Sequence, residues 1–191
     1  MDAPVIRKTF CLASLLLMAG CTPYQLYSPP AQGPRAQIKS ELYTPNSYNN
    51  LLAVSLSTDT GCRLGRQAGL GKESQLFSVY NATPRPPGYQ AIAADTPLHL
   101  VMQGTASAGR GCVIEFITSF AADGHYLLKG GITDHDELCR IDVVNADTGV
   151  SLARFETPTQ VPPAASEPYA RRQFMDQQGC YLPTTDKDRQ P

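Results

Sequence analysis

The sequence predicts a mainly β protein, an antiparallel β-sandwich with a short C-terminal helix. Three observations point there. Between residues 88 and 156, short apolar runs recur with Gly, Asp and Asn between them, as in antiparallel sheets. Sixteen prolines and fifteen glycines favour many turns over long helices. Within two of the runs the apolar residues alternate with polar ones, the period of a strand with one buried face.

The elements follow in order. Residues 51–57, LLAVSLS, read as a first strand, and the glycine-dotted stretch 61–72 has no clear period. Runs at 89–93, 97–103, 112–120, 125–129, 138–145 and 151–156 supply the remaining strands. Residues 120–125 read as a hairpin, with Asp123-Gly124 providing the positive φ of its turn, and residues 145–149 read as a second turn before the last strand. In 112–120, Cys112, Ile114, Phe116 and Phe120 share one face while Glu115 and Ser119 share the other. In 138–145, Cys139, Ile141 and Val143 oppose Arg140 and Asp142, so both cysteines are expected to point into the core. Near the end, 167–178 is expected to form the short helix, with Pro168 near its start and Gly179 just past its end.

The first twenty residues have the order of a secretory signal: Arg7 and Lys8, then the apolar run 10–19, then Gly20. That run is far shorter than the roughly 20 apolar residues a bilayer-crossing helix needs. Leu17-Met18-Ala19-Gly20-Cys21 closely resembles the lipobox of bacterial lipoproteins, with Met18 standing where that family more often has Leu. The resemblance covers the first 21 residues. It implies cleavage before Cys21, a diacylglyceryl group on its thiol and an acyl chain on its new amino group, together enough apolar chain for stable anchoring. It also implies an outer-membrane location, lipid-anchored and facing the periplasm, because Thr22 is not Asp.

The expected organisation is therefore a signal peptide at 1–20, a lipidated N-terminus and flexible tether at 21–40, a sandwich domain at 41–183 and a disordered tail at 184–191. Residues 22–40, with scattered Pro, Gly and Gln, are read as an extended segment that lifts the domain off the membrane. Setting Cys21 aside, the mature chain keeps Cys62, Cys112, Cys139 and Cys180. An even number in an exported chain reads as two disulfides, for which three pairings exist. Because Cys112 and Cys139 begin two strands read as neighbours and both face inward, the expected pairs are Cys112 with Cys139 and Cys62 with Cys180.

The core, from the strand at 92–102 with its Thr96-Pro97-Leu98 entry through residues 112–120, Asp123-Gly124 and residues 139–144, is similar to small cysteine-stapled β-sandwich lipoproteins of Gram-negative bacteria that have no assigned activity. That resemblance supplies no catalytic residues.

Several residue groups suggest chemistry and fall short of it. Residues 65–72, GRQAGLGK, miss the phosphate-loop spacing, and Glu73 stands where Ser or Thr would hold magnesium. Asp134-His135-Asp136-Glu137 offers oxygen ligands without any EF-hand spacing and reads as a solvated acidic loop. Ser107 lacks the first glycine of a nucleophile elbow and precedes a strand. His99 and His125 are read as half-exposed sheet residues with no obvious acid or base partner. Arg171 and Arg172 form a basic spot far smaller than a membrane-binding patch. No cysteine or histidine spacing fits zinc, and the net charge of -1 gives no reason to expect nucleic acid.

The sequence thus leads to an expectation of a lipid-anchored envelope protein, non-catalytic and without a cofactor or metal. It would act as an interaction or structural module for an envelope protein partner. The alternative is a small-ligand or cell-wall-binding lipoprotein using the loops at 105–111 and 132–137, and a hydrolase ranks below both.

Overall fold

The computed structural model describes residues 25–44, 51–58, 73–80, 83–105, 110–133, 138–161 and 179–181. Among these residues the chain is all strand, turn and extended backbone, without a helix. The strands are β1 (Arg35–Tyr43), β2 (Leu51–Ser57), β3 (Glu73–Tyr80), β4 (Thr83–Arg85), β5 (Tyr89–Ala93), β6 (Leu98–Thr105), β7 (Gly111–Thr118), β8 (His125–Thr133), β9 (Leu138–Asn145), β10 (Ser151–Pro158) and β11 (Gly179–Tyr181). They form a six-stranded sheet in the order β11-β7-β6-β2-β3-β4 and a five-stranded sheet in the order β10-β9-β8-β1-β5. Neighbours run antiparallel, apart from β1 beside β8 and β11 beside β7, which are parallel.

Alternation explains most of the strands. In β7, Cys112, Ile114 and Phe116 are buried on the inner face, and in β9 Cys139, Ile141 and Val143 are, as their period requires. One apolar cluster draws on both sheets, with Leu52, Val54, Phe77, Met102 and Phe116 from the larger and Ile38, Ile92, Leu128, Ile141 and Val143 from the smaller. Burying each such side chain contributes roughly 1.5–3 kcal/mol, so this shared core is what holds the sheets together.

The N-terminal part differs from the expectation. Residues 35–40, read as tether, belong to β1, which lies inside the smaller sheet between β8 and β5. Ala36, Ile38, Ser40 and Leu42 are buried on one face of it, and two of these are too small to mark an apolar stripe in the sequence. Pairing on both sides satisfies the backbone of β1, which a solvated tether would leave to water. Even earlier, the Gln75 N–H donates to the Gln25 carbonyl and the Tyr27 N–H to the Gln75 carbonyl, both at 2.8 Å, so the chain is docked on β3 from Gln25 onward.

The expected hairpin at 120–125 is also corrected. Asp123 does adopt a positive φ of 60°, but β7 and β8 belong to different sheets, so the turn carries the chain across the core. The reason lies in its partners. The Asp123 N–H donates to the Arg35 carbonyl and the Gln37 N–H to the Gly124 carbonyl, binding the turn to the start of β1 instead of closing β7 on β8. The turn at 145–149 does close a hairpin between β9 and β10. There the Asn145 carboxamide oxygen accepts from the backbone of Asp147 and Thr148, and Gly149 takes a φ of 73°.

Two adjacent glycines in β8 have φ values of 109° and 117°. A side chain on Gly130 would meet the Arg140 carbonyl of β9, and one on Gly131 would meet the Tyr43 carbonyl of β1. Their lack of Cβ lets β8 sit close to both neighbours. The short helix expected at 167–178 lies outside the described residues.

Candidate functional site

Strand direction gathers several loops at one end of the fold. Because β1 and β8 are parallel, Tyr43 and Gly131 reach the same end, where Thr133 pairs with Leu138 across the loop at 134–137. In the other sheet, Thr105 pairs with Gly111 across the loop at 106–109. The roots of the two loops are tied by a disulfide between Cys112 of β7 and Cys139 of β9, with Cα atoms 6.3 Å apart. The expected pairing is therefore present, but its strands belong to opposite sheets rather than lying side by side, so the bond staples one sheet to the other.

This end is further knitted together by main-chain and side-chain contacts. A Cβ on Gly104 would lie 2.9 Å from Cys112 Sγ and 3.2 Å from Ile132 Cδ1, so glycine makes the space that the sulfur fills. Gly111 and Gln160 exchange two backbone hydrogen bonds of 2.7 and 2.8 Å, and the Arg110 guanidinium donates to the hydroxyl and carbonyl of Thr159. The Thr44 hydroxyl, one residue past β1, is buried with no hydrogen-bond partner among the described residues.

Other residues singled out from the sequence fall outside the described ones: Cys21, Cys62, Ser107, the acidic loop 134–137, the glycine-rich stretch 65–72, and Arg171 with Arg172. Cys180, on β11, is placed by its backbone alone, in register with Glu115 of β7, so a link from Cys62 to Cys180 also lies outside the described residues.

Both described histidines have acidic neighbours, which corrects the expectation that they stand alone. His99 Nε2 is 3.1 Å from Glu115 Oε2, with side chains only 6% and 5% exposed. Register explains the meeting: Glu115 pairs with Val101, two residues along β6 from His99, so the two share a face as diagonal neighbours. His99 is thus buried rather than half-exposed, and Glu115, although on the face opposite the core, is not left in water. His125 Nδ1 lies 3.6 Å from Asp147 Oδ1, with the ring edge-on to Tyr89 at a centroid distance of 5.4 Å. This second pair is exposed and contributes little to stability.

Asp142 in β9 sits opposite Arg154 in β10 and accepts hydrogen bonds from Ser151 Oγ at 2.5 Å and Arg154 Nη2 at 2.7 Å. Burial opposes ionisation of its carboxyl. The bonds from Ser151 and Arg154, with the charges of Arg154 and Arg140, outweigh burial and hold the carboxyl below the usual carboxylate range.

A cleft of about 580 Å³ opens on the opposite flank, where Leu26, Tyr27 and Pro29 face Leu76 of β3 and the Arg85-Pro86 corner after β4. Tyr27 straps this flank, since its hydroxyl oxygen accepts from the Ala93 N–H of β5 while its own N–H is bound to β3. Among the described residues no group of three or more His, Cys, Asp or Glu is placed to hold a metal ion. No protein-family model, no curated protein and no solved structure matches this chain.

Proposed function

We propose that the chain is a lipid-anchored envelope protein, processed before Cys21, whose domain is a disulfide-stapled β-sandwich acting as a non-catalytic interaction or structural module. The observation that carries this reading is the Cys112–Cys139 bond between the sheets. Stable disulfides belong to exporting routes, in agreement with the signal-like first twenty residues and the lipobox at 17–21. The shared apolar core supports the sandwich. The interaction surface is assigned to the stapled end, where the bond ties β7 to β9 close to the strand ends Thr105, Gly111, Thr133 and Leu138, a rigid frame of the kind on which binding surfaces are carried. The histidine pairs favour a structural part, because His99 and Glu115 are nearly sealed from solvent and His125 with Asp147 is loosely held.

Two measurements test this. Cys21→Ser should leave unlipidated precursor that no longer partitions into detergent, and a native protein without acyl groups overturns the anchoring. A photo-crosslinker placed at Ser107 should capture an envelope protein, whereas one at Asp123, at the other end, should not. Capture from Asp123 alone, or ester, peptide or glycan turnover by the purified protein, defeats the reading.

A small-ligand site at the same end is the second reading, favoured by the buried Thr44 hydroxyl, which has no hydrogen-bond partner among the described residues. Replacing residues 134–137 together by Ala or Ser decides it with calcium or zinc as the probe. A metal that raises the melting temperature only of the unaltered protein supports an ion site by linkage.

A further inference from the structure

The docked start of the chain changes what an anchor at Cys21 does. Gln25 and Tyr27 are hydrogen-bonded to β3, and Tyr27 is also bound to β5. Only four chain steps separate Cys21 from Gln25, a reach of at most about 14 Å. The segment expected to lift the domain away is therefore mostly part of the fold.

The surface around that attachment is suited to lipid. Leu26 is 69% exposed on the same short segment. Beside it lies the cleft formed with Pro29, Leu76 and Pro86, and among its described lining residues Arg85 carries the only charge. Arg35, whose guanidinium donates to the carbonyls of Pro30 and Ala31, adds a second cation nearby, bonded to neutral groups. An apolar cleft with a basic rim and an exposed leucine, held within a short chain of an acylated residue, matches the boundary between acyl chains and anionic headgroups.

We infer that the flank formed by residues 25–29, β3 and the β4–β5 corner docks directly on the membrane. Leu26 and the cleft take acyl chain from anionic phospholipid, Arg85 faces its phosphate, and the stapled end is carried away from the bilayer. This rests on the lipid anchor proposed for Cys21.

The chain has no tryptophan, so Leu26→Trp introduces a single indole at an exposed position. The lipidated full-length mature protein carrying this change is reconstituted in vesicles of phosphatidylcholine and phosphatidylglycerol containing a nitroxide-labelled phospholipid. Leu152→Trp, on β10 at the far flank, serves as the reference. Quenching should be several-fold greater at position 26 than at 152. Arg85→Glu in the Leu26→Trp background should lower it in phosphatidylglycerol vesicles while leaving phosphatidylcholine vesicles unchanged. A flexible Gly-Ser linker of about 20 residues inserted between Tyr24 and Gln25, with a typical span of about 25 Å, should reduce the difference between the two positions. Equal quenching at 26 and 152 in protein that is acylated and vesicle-bound overturns the docking while leaving the anchor intact. Protein found by mass to lack acyl groups overturns the anchor, and the docking with it. Quenching indifferent to Arg85→Glu removes the phosphate contact.

Discussion

His99 Nε2 points at Glu115 Oε2 across 3.1 Å on the face of the six-stranded sheet opposite the core, and almost no solvent reaches either group. His99→Ala leaves the Glu115 carboxyl buried without this partner and should cost about 1–3 kcal/mol, the usual penalty for a buried polar group that loses its hydrogen bond. Glu115→Gln keeps an oxygen acceptor and should cost about 1 kcal/mol. Urea unfolding of both variants measures the difference. Midpoints of both variants equal to that of the wild type would show that the contact carries no stability.

Gly131 provides a second test, because its absent side chain lets β1 and β8 run in parallel at close range. Gly131→Ala combines an unfavourable φ of 117° with a collision against the Tyr43 carbonyl and should cost about 3 kcal/mol or more. Gly33→Ala has a similar φ of 109° but open space around it, and should cost only the backbone strain of about 1–2 kcal/mol. Thermal melts of the two variants separate steric collision from strain.

Asp142 predicts an acid-side loss of stability. Its carboxyl titrates lower in the fold than in the unfolded chain, so the unfolded chain takes up the proton first as pH falls. The stabilisation is complete above the ordinary aspartate value of about 4 and fades as pH drops below that toward the lowered folded value. Asp142→Asn should therefore unfold more easily than wild type at pH 7, with the gap closing at the acid end. A constant gap from pH 7 to 2 would mean that the ionised group is not the source.

Reduction should weaken the fold without dismantling its register. For a sequence separation of 27 the chain-entropy model gives about 3.6 kcal/mol, an upper figure because native strain subtracts from it. Replacing Cys112 and Cys139 by Ala should lower the urea midpoint accordingly, and hydrogen exchange should rise most in β7 and β9 near the bond. Peptide mapping without reduction should recover the two cysteines in one fragment pair.

The parts of this architecture that a single strand encodes were legible, and those that depend on distant pairings were not. Alternation and turn residues marked Tyr89–Ala93 and Leu138–Asn145 at their observed limits, and the inward phase of Cys112 and Cys139 identified their bond. β1 was hidden because Ala36 and Ser40 hold buried positions without looking apolar. β3 was hidden by a bulge: Val54 pairs with Phe77 and Ser55 with Gln75, so Leu76 is the extra residue that breaks the period of two. Asp123-Gly124 read as a hairpin because a turn reveals its own φ but not which sheet the next strand joins. Glu115 was placed on the face opposite the core by its phase, but its charge gives no sign of the histidine brought beside it by the neighbouring strand.

The parallel pairing of β1 with β8 also sets an order of biogenesis. β1 is made first, yet β2 through β7 must all follow before the strand that closes its second side appears. A chain halted before residue 125 would hold β1 with an open edge and lack β8, β9 and β10, leaving it exposed to wrong partners. Completion of the first strand therefore waits on the last third of the polypeptide. Non-local pairings of this kind close late and slow folding in general, so the stage at which β1 stands unpaired on one side is the vulnerable one in the making of this fold.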